Sequence, residues 1–594
     1  MVQEPFGMRL LVGGALLHVG PNPVADLPVC HGVADDLDEI LVVHPGRLKP
    51  PAIESLAEIR LVVRVEFPGQ LQARLVDITG EVGPAIHCFA GTARKDQFTA
   101  HVCESCRAGR DGVNAAGLAP VAGRGERRDM AETHDFDVAV IGGGSGGYAA
   151  ARTCAAAGQR VAIIDGAKEL GGLCILRGCM PTKALLWATD VLHLAQQGST
   201  WGLRLDKPAF DFKAVMARKA VVIEEFAGYR RKQLESDRFT LFRAVAKFID
   251  PHTVELSDGR KVHADHFVIA TGSIVSEPPL PALTQIGYLT SDDALALETL
   301  PKSLIVLGGG SVAVEFAQFF QRLGVAVTLV QRSGHILRDS DGDTAEAVTA
   351  QLRDEGMRVL TGTLLVDARV NALGLKEIVF THEGGEKVIA AEQILFALGR
   401  SPNTKNLGLA SIGVSTEADG RIRMDNQMRT TVPHIYAAGD CASPFEIVHV
   451  AVQQGEIIGH NITTPAKPRA IDYRLLINVV FSDPALATVG LTEKSARAAG
   501  VPFVVASYPF NDHGKSIIMA VKHGFVKLLA APDTGEILGG CCTGPQAGEL
   551  IHEIVVAMAK RMNVRELAAL PHYHPTLSEI WTYPAEELAD QIGI

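Results

Sequence analysis

Residues 135–165 read DFDVAVIGGGSGGYAAARTCAAAGQRVAIID, and this stretch decides the fold. A short apolar run is followed by Gly142, Gly144 and Gly147 in the spacing G-x-G-x-x-G, then by small residues at helical spacing, then by a second apolar run ending at Asp165. Each part has a physical reason. Gly142 permits the tight turn, Gly144 lets the backbone approach a pyrophosphate, and Gly147 lets helix and strand pack closely. The helix N-terminus offers unpaired N–H groups and the positive end of a dipole to an anion. Ala151, Ala155 and Gly158 continue the small-residue face. Asp165 stands where an acidic side chain accepts from ribose hydroxyls, which argues for a dinucleotide site over a bare strand–helix turn.

Working outward, residues 303–332 repeat the grammar in SLIVLGGGSVAVEFAQFFQRLGVAVTLVQR, with Gly308, Gly310 and Ala313 in the glycine places. The second strand ends here at Gln331, followed by Arg332 and Arg338, where an acidic residue would suit the free 2′-hydroxyl of NADH. Two guanidinium groups suit the extra phosphate of NADPH, so NADP(H) is preferred over NAD(H); solvated surface arginines are the plainer alternative. Strands alternating with helices predict parallel sheets with right-handed crossovers, an α/β fold. A third strand, in TTVPHIYAAGD, is expected to end at Asp440. From about Tyr473, strand signals (LLINVVF, GFVKLLAA, EILGGCCTG) precede helical ones (AGELIHEIVVAMAK, NVRELAAL), which predicts an α+β C-terminal domain.

The bulk properties exclude several classes. A chain of 594 residues is too long for one core. A net charge of -11 argues against a nucleic-acid partner. No apolar run reaches the roughly 18 residues of a membrane span. The start, MVQEPFGMRLLVGGALLHVG, lacks a basic region ahead of its apolar run and is a poor secretory signal. Ten cysteines in so long a chain make no disulfide framework, which points to the cytoplasm. Residues 1–129 lack trustworthy periodicity and read as a dispensable extension, with Met130 directly before the pattern begins. Within them, CESC at Cys103 to Cys106 has metal-ligand spacing without a second Cys/His pair at zinc distance, and is read as incidental. No metal site is expected, a heavy-metal-binding N-terminal domain being the alternative.

The most chemical segment is GGLCILRGCMPTK, residues 171–183, with Cys174 and Cys179 five residues apart just after the first glycine turn. Gly171, Gly172 and Gly178 allow close backbone approach to a bound group. A disulfide spanning one distorted helical turn can pass two electrons to another disulfide, provided a thiolate forms. A buried structural pair is the competing use. This segment resembles the active-site motif of the class I pyridine nucleotide-disulfide oxidoreductases. The likeness runs from about Phe136 to Glu579 and takes in both glycine signatures, ATGS at 270–273, and Gly439 with Asp440. Within the family it is nearest to dihydrolipoyl dehydrogenase, with mercuric reductase-like features in the second nucleotide-binding domain.

The resemblance implies two Rossmann-like dinucleotide-binding domains, for FAD and NAD(P), plus a C-terminal dimerisation domain. The corresponding divisions are an extension at 1–130, an FAD-binding domain at 131–290 and again at 401–472, an NAD(P)-binding domain at 291–400, and an interface domain at 473–594. Cys179 matches the cysteine whose thiolate lies against the flavin, and Cys174 the one that exchanges with the substrate disulfide. Lys183 and Glu315 match an ion pair near the flavin, Asp440 an aspartate on its ribityl chain, and Thr271 and Gly272 a flavin-contacting loop. His574 and Glu579, in HPTLSE, match an acid–base dyad contributed by the neighbouring subunit of a homodimer, with a cis bond before Pro575. His572 is expected to be structural.

The dyad favours a small-molecule or lipoyl-protein disulfide substrate. Leu173, Leu176 and Arg177 depart from the family's usual residues around the first cysteine, which bears on access. Mercury reduction is the minor alternative: Cys541 and Cys542 lie inside an apparent strand and read as core. Glutathione reductase-like use of NADPH is a further alternative. A non-catalytic flavin-binding redox partner is the alternative from another class.

Overall fold

The computed structural model describes residues 133–594 and, before them, only the backbone of six short strands between residues 8 and 78. Four of these, Met8–Val12, Ala15–Val19, Ile59–Phe67 and Gln70–Ile78, pair as an antiparallel sheet within a unit spanning residues 1–125. The sequence reading found no regular element there. The CESC motif and the proposed extension boundary lie outside the described residues.

In the second unit, from residue 126 onward, the strand Thr133–Ile141 runs parallel to Val161–Ile164 with Val138 opposite Val161 and Ile141 opposite Ile164. The paired segments 138–141 and 161–164 are apolar and buried on both faces, as parallel strands covered by helices must be. On the other side Thr133–Ile141 pairs in parallel with Lys261–Ile269. The far edge of Lys261–Ile269 is shared: Thr253–Leu256 pairs antiparallel at its start, and Ile435–Ala437 pairs parallel at its end. That last pairing brings a segment far along the chain to the carboxyl end of the first sheet, where the glycine turn sits.

The second sheet is parallel throughout, in the order Arg358–Leu360, Ala326–Val330, Ser303–Leu307, Gln393–Phe396. The helix Ser311–Arg322 that covers it buries Phe316, Phe319 and Phe320, each stabilising by roughly 1.5–3 kcal/mol. A three-stranded antiparallel layer, Leu364–Val370, Lys376–His382 and Gly385–Ala391, flanks it and was not foreseen. The C-terminal region is a five-stranded antiparallel sheet, Ile477–Val480, Ala485–Gly490, Ile537–Gly544, Phe525–Ala530, Val504–Pro509, packed against the helices Ala547–Ala559 and Thr582–Ile592. Among the described residues no helix is long and apolar enough to cross a membrane.

Candidate active site

The turn after Thr133–Ile141 is built as its glycines predict. Gly142 has φ +105°, and a Cβ on it would lie 2.3 Å from the Ala270 carbonyl oxygen. A Cβ on Gly147 would fall 1.9 Å from the Gly142 carbonyl oxygen, so helix and strand could not close with any larger residue. A Cβ on Gly144 would have nothing within 4 Å of it. Asp165 is buried, and its two carboxylate oxygens accept from the Gly143 and Ala167 N–H groups at 2.9 Å each. The side chain expected on a ribose therefore also braces the turn, with lone pairs to spare. Gly172, at φ +79°, packs on Gly144, which sets the cysteine segment against the turn.

Cys174 lies on the short helix Leu173–Arg177 and Cys179 opens the helix Cys179–Gln196. The sequence reading placed both on one helical turn. Gly178 corrects this, because its φ −131° and ψ −110° are not helical and split the segment in two. Pro181 is tolerated in the first turn, where its missing N–H has no helical acceptor anyway. Both thiols are free. A hydrogen bond from Cys174 brings the Cys179 thiol down to about 7, with Lys183 assisting and burial opposing. The same bond, together with burial, pushes Cys174 far up. The hydrogen bond and the Lys183 charge thus favour a thiolate on Cys179 over one on Cys174.

Behind Cys179, Lys183 Nζ meets Glu315 Oε2 at 2.8 Å. Glu315 is buried and its other oxygen accepts from the Phe481 N–H at 3.0 Å, while the Lys183 ammonium stands 4.5 Å over the Phe481 ring. One ion pair thereby joins the cysteine helix, the helix Ser311–Arg322 over the second sheet and the C-terminal region. Phe481 carries no motif and could not have been picked from the sequence.

At the carboxyl end of the first sheet, the strand stops at Ala437 and Gly439–Cys441 form a short 3-10 turn, so Asp440 sits just beyond the strand and not at its end. Asp440 Oδ2 accepts from Ser273 Oγ at 2.7 Å, and Arg400 Nε donates to the same hydroxyl at 2.8 Å. Thr271 Oγ1 donates to the Asn403 carbonyl at 2.7 Å, and the Asn403 N–H donates to the Gly272 carbonyl at 2.9 Å, which fixes the ATGS loop. The Gly439 N–H donates to Gln454 Oε1 at 2.8 Å. Arg400 and Gln454 lie outside the motifs read from the sequence, and Ser273 enters there only as the last residue of ATGS.

The second glycine turn repeats the first: Gly308 has φ +117°, Ala313 is fully buried, and nothing lies within 4 Å of a Cβ on Gly310. Gln331 is buried against Gly309, and its Oε1 accepts from the Arg332 N–H at 3.1 Å. The Arg332 and Arg338 side chains are exposed, Arg338 reaching Asp339 at 3.6 Å.

His574 Nδ1 lies 3.0 Å from Glu579 Oε2, and His574–Pro575 is cis. The imidazole is 77% exposed while the carboxylate is 11% exposed. Among the described residues no hydrogen bond or ion pair joins this dyad to the cysteines. His572 Nε2 meets Glu553 at 2.7 Å in a mostly buried pair, a structural contact. Cys541 and Cys542 are buried in the strand Ile537–Gly544, and burial pushes both thiols up, Cys541 to about 11. One buried histidine, His513, touches the dyad through Glu579, and nothing in NDHGKS marks it in the sequence.

Comparison with known proteins follows the same lines. Residues 136–455 match the family described as pyridine nucleotide-disulphide oxidoreductase, and residues 477–585 match its dimerisation domain. A dihydrolipoyl dehydrogenase of Thermus scotoductus is 37% identical over 461 residues, 77% of this chain and 98% of that protein. One from Geobacillus stearothermophilus is 33% identical, covering 76% and 96%. A mercuric reductase of Staphylococcus aureus is 32% identical, covering 77% and 84%.

Proposed function

Because this chain belongs to the pyridine nucleotide-disulphide oxidoreductase family, we propose that it is an FAD-dependent enzyme exchanging electrons between NADPH and a lipoyl-type dithiol or disulfide through Cys174 and Cys179. The observation that carries this reading is the opposite displacement of the two thiol acidities, with Lys183 and Glu315 directly behind them. The residues present fit FAD. The helix Ser145–Ala156 has neither a side-chain cap nor an acidic residue in its first turn, and a Cβ on Gly144 would have nothing within 4 Å of it. Gly142, Gly144, Gly147 and Asp165 would hold its adenosine diphosphate part, Gly171 and Gly172 would back it, and Gly439, Asp440, Thr271 and Gly272 its ribityl end. Bound FAD supplies the two-electron exchange with the nicotinamide.

In dithiol oxidation a substrate thiolate attacks Sγ of Cys174 in the Cys174–Cys179 disulfide, which breaks that bond and leaves Cys179 as thiolate. The second substrate thiolate then attacks the substrate sulfur bound to Cys174. The substrate disulfide closes, and Cys174 leaves with the electron pair and takes a proton. His574, oriented by Glu579, accepts the substrate's thiol protons and returns one to Cys174; disulfide reduction runs these steps backward. Lys183 holds the Cys179 thiolate by its charge. The exposure of the His574 ring supports a dyad that serves the cysteines of a second copy of the chain.

NADPH is favoured by Gln331, which offers no charge to repel a 2′-phosphate, and by the two exposed arginines Arg332 and Arg338 on the unit that carries Gly308, Gly310 and Ala313. Anaerobic titration of the purified holoprotein with each nucleotide tests the reading. NADPH is expected to reduce the protein faster than NADH and to raise a long-wavelength thiolate-to-flavin absorbance after two electrons. Flavin reduction without that absorbance would remove the cysteines from the reaction.

A further inference from the structure

Glu579 is the only link between two histidines in the dyad region of the described residues, and only one of them faces solvent. His513 is 0% exposed and follows a short 3-10 turn, Phe510–Asp512. Its Nε2 lies 3.2 Å from Glu579 Oε1, on the carboxylate oxygen that His574 does not use. Its Nδ1 lies 2.8 Å from the buried Ser516 hydroxyl. The remaining wall is the Tyr583 ring, edge-on to the imidazole at 6.2 Å and stacked in turn on Tyr508. Tyr508 directs its hydroxyl away, to Asp512 Oδ2 at 3.1 Å.

Neither His513 Nε2 nor Glu579 Oε1 has another partner, and the angle between them falls short of a proper hydrogen bond. Two buried polar atoms left so would each cost about 1–3 kcal/mol, and their 3.2 Å approach satisfies both with a small rotation of either side chain. The proton positions follow from chemistry. Glu579 as carboxylate only accepts, so His513 must carry hydrogen on Nε2, and its bare Nδ1 must then accept from the Ser516 hydroxyl. Burial lowers the affinity of His513 for a second proton, although Glu579 opposes this, so the ring stays a neutral donor.

We infer that His513, held in one tautomer by the Glu579 carboxylate, is a positioning residue that completes a His513–Glu579–His574 chain and sets how strongly Glu579 holds the proton on His574. The inference rests on the reading of His574 and Glu579 as the acid–base dyad. With His513 donating to one oxygen, the carboxylate's accepting power is divided between two rings. Without it, the whole of that power falls on His574, which then gives up its proton at higher pH. The groups facing the imidazole are Glu579, His574 through it, Ser516, and the Tyr583 and Tyr508 rings. Of these, the two ring hydroxyls are not directed at Glu579 by any hydrogen bond among the described residues.

The test is the pH profile of dihydrolipoamide oxidation by the holoenzyme. His513→Leu is expected to move the acid limb upward by about one pH unit, and His513→Gln, which restores an N–H at that reach, to return it toward the wild-type position. A uniform fall in rate with the limb unmoved in His513→Leu means a packing role only and overturns the inference. If His513→Leu loses its flavin, His513→Phe decides. It keeps a buried ring, removes the N–H that faces Glu579 and moves the limb the same way, and an unmoved limb overturns the inference. His574→Gln is the control: undiminished turnover there means the dyad reading itself has failed.

Discussion

Cys174 and Cys179 are the same residue type five positions apart, yet one keeps its proton and the other sheds it near neutrality. The first cause is the hydrogen bond that Cys174 donates, with the Lys183 charge behind it. Changing the donor alone separates these effects. In Cys174→Ser a hydroxyl still donates, and the Cys179 thiolate is expected to titrate near or below the value of about 7. In Cys174→Ala the donor is gone and titration moves upward, toward an unperturbed thiol at about 8.5. Thiolate absorbance followed against pH in the two variants reads this directly, and equal titration in both would leave Lys183 and the Cys179 backbone N–H as the causes. The sign is that of a lowered pKa: the thiolate is present above the folded-state value and is lost as pH falls through it.

At the scale of elements, the helix Ser311–Arg322 does more than cover its sheet. Its last residue, Arg322, is 2% exposed and meets Asp190 at 2.6 Å, Glu355 at 2.7 Å and Asp483 at 2.6 Å. Burial opposes the guanidinium charge, but these carboxylates outweigh it and raise its affinity for the proton. His193, Glu355 and Asp483 would otherwise look like a metal-binding trio, and the arginine already supplies the cation there. Asp190 belongs to the Cys179 helix and Asp483 to the turn before the strand Ala485–Gly490, so the cluster locks three regions of the unit together. Arg322→Met would strand the buried Glu355 carboxylate, while water reaches the half-exposed Asp190 and Asp483, and is expected to cost about 3 kcal/mol of stability, measured by denaturant unfolding. A loss under about 1 kcal/mol would show that water reaches Glu355 too and screens it.

For the whole molecule the decisive matter is which chain's His574 serves which cysteines. The dyad ring is exposed, and Tyr573 beside it in the chain is 83% exposed, an apolar surface suited to a twofold interface. Two inactive variants, Cys179→Ser and His574→Gln, give a clean arrangement when mixed. The His574→Gln homodimer is expected to lose about 10²–10⁴ in turnover. In the heterodimer one site receives both lesions, while the other pairs intact cysteines with an intact histidine. Random reassociation makes about half the dimers mixed, so about a quarter of wild-type turnover returns if the dyad acts across the interface. No recovery would mean that each chain is self-sufficient.

The sequence alone determined the parallel α/β architecture, both glycine turns and the cysteine pair, because each depends on local rules: strand and helix periodicity, positive φ, and close backbone approach. It also marked His574 and Glu579, which lie five residues apart. Tertiary structure decided the rest. Glu315 reaches Lys183 across 132 positions, Ser273 reaches Asp440 across 167, and His513 reaches Glu579 from a separate turn. The first two of these pairs could be expected only by resemblance or not at all, since a side chain's partner across space leaves no periodic trace. Whether a carboxylate braces a turn, balances a lysine or is shared by two histidines depends on burial and on what chain folding carries alongside it.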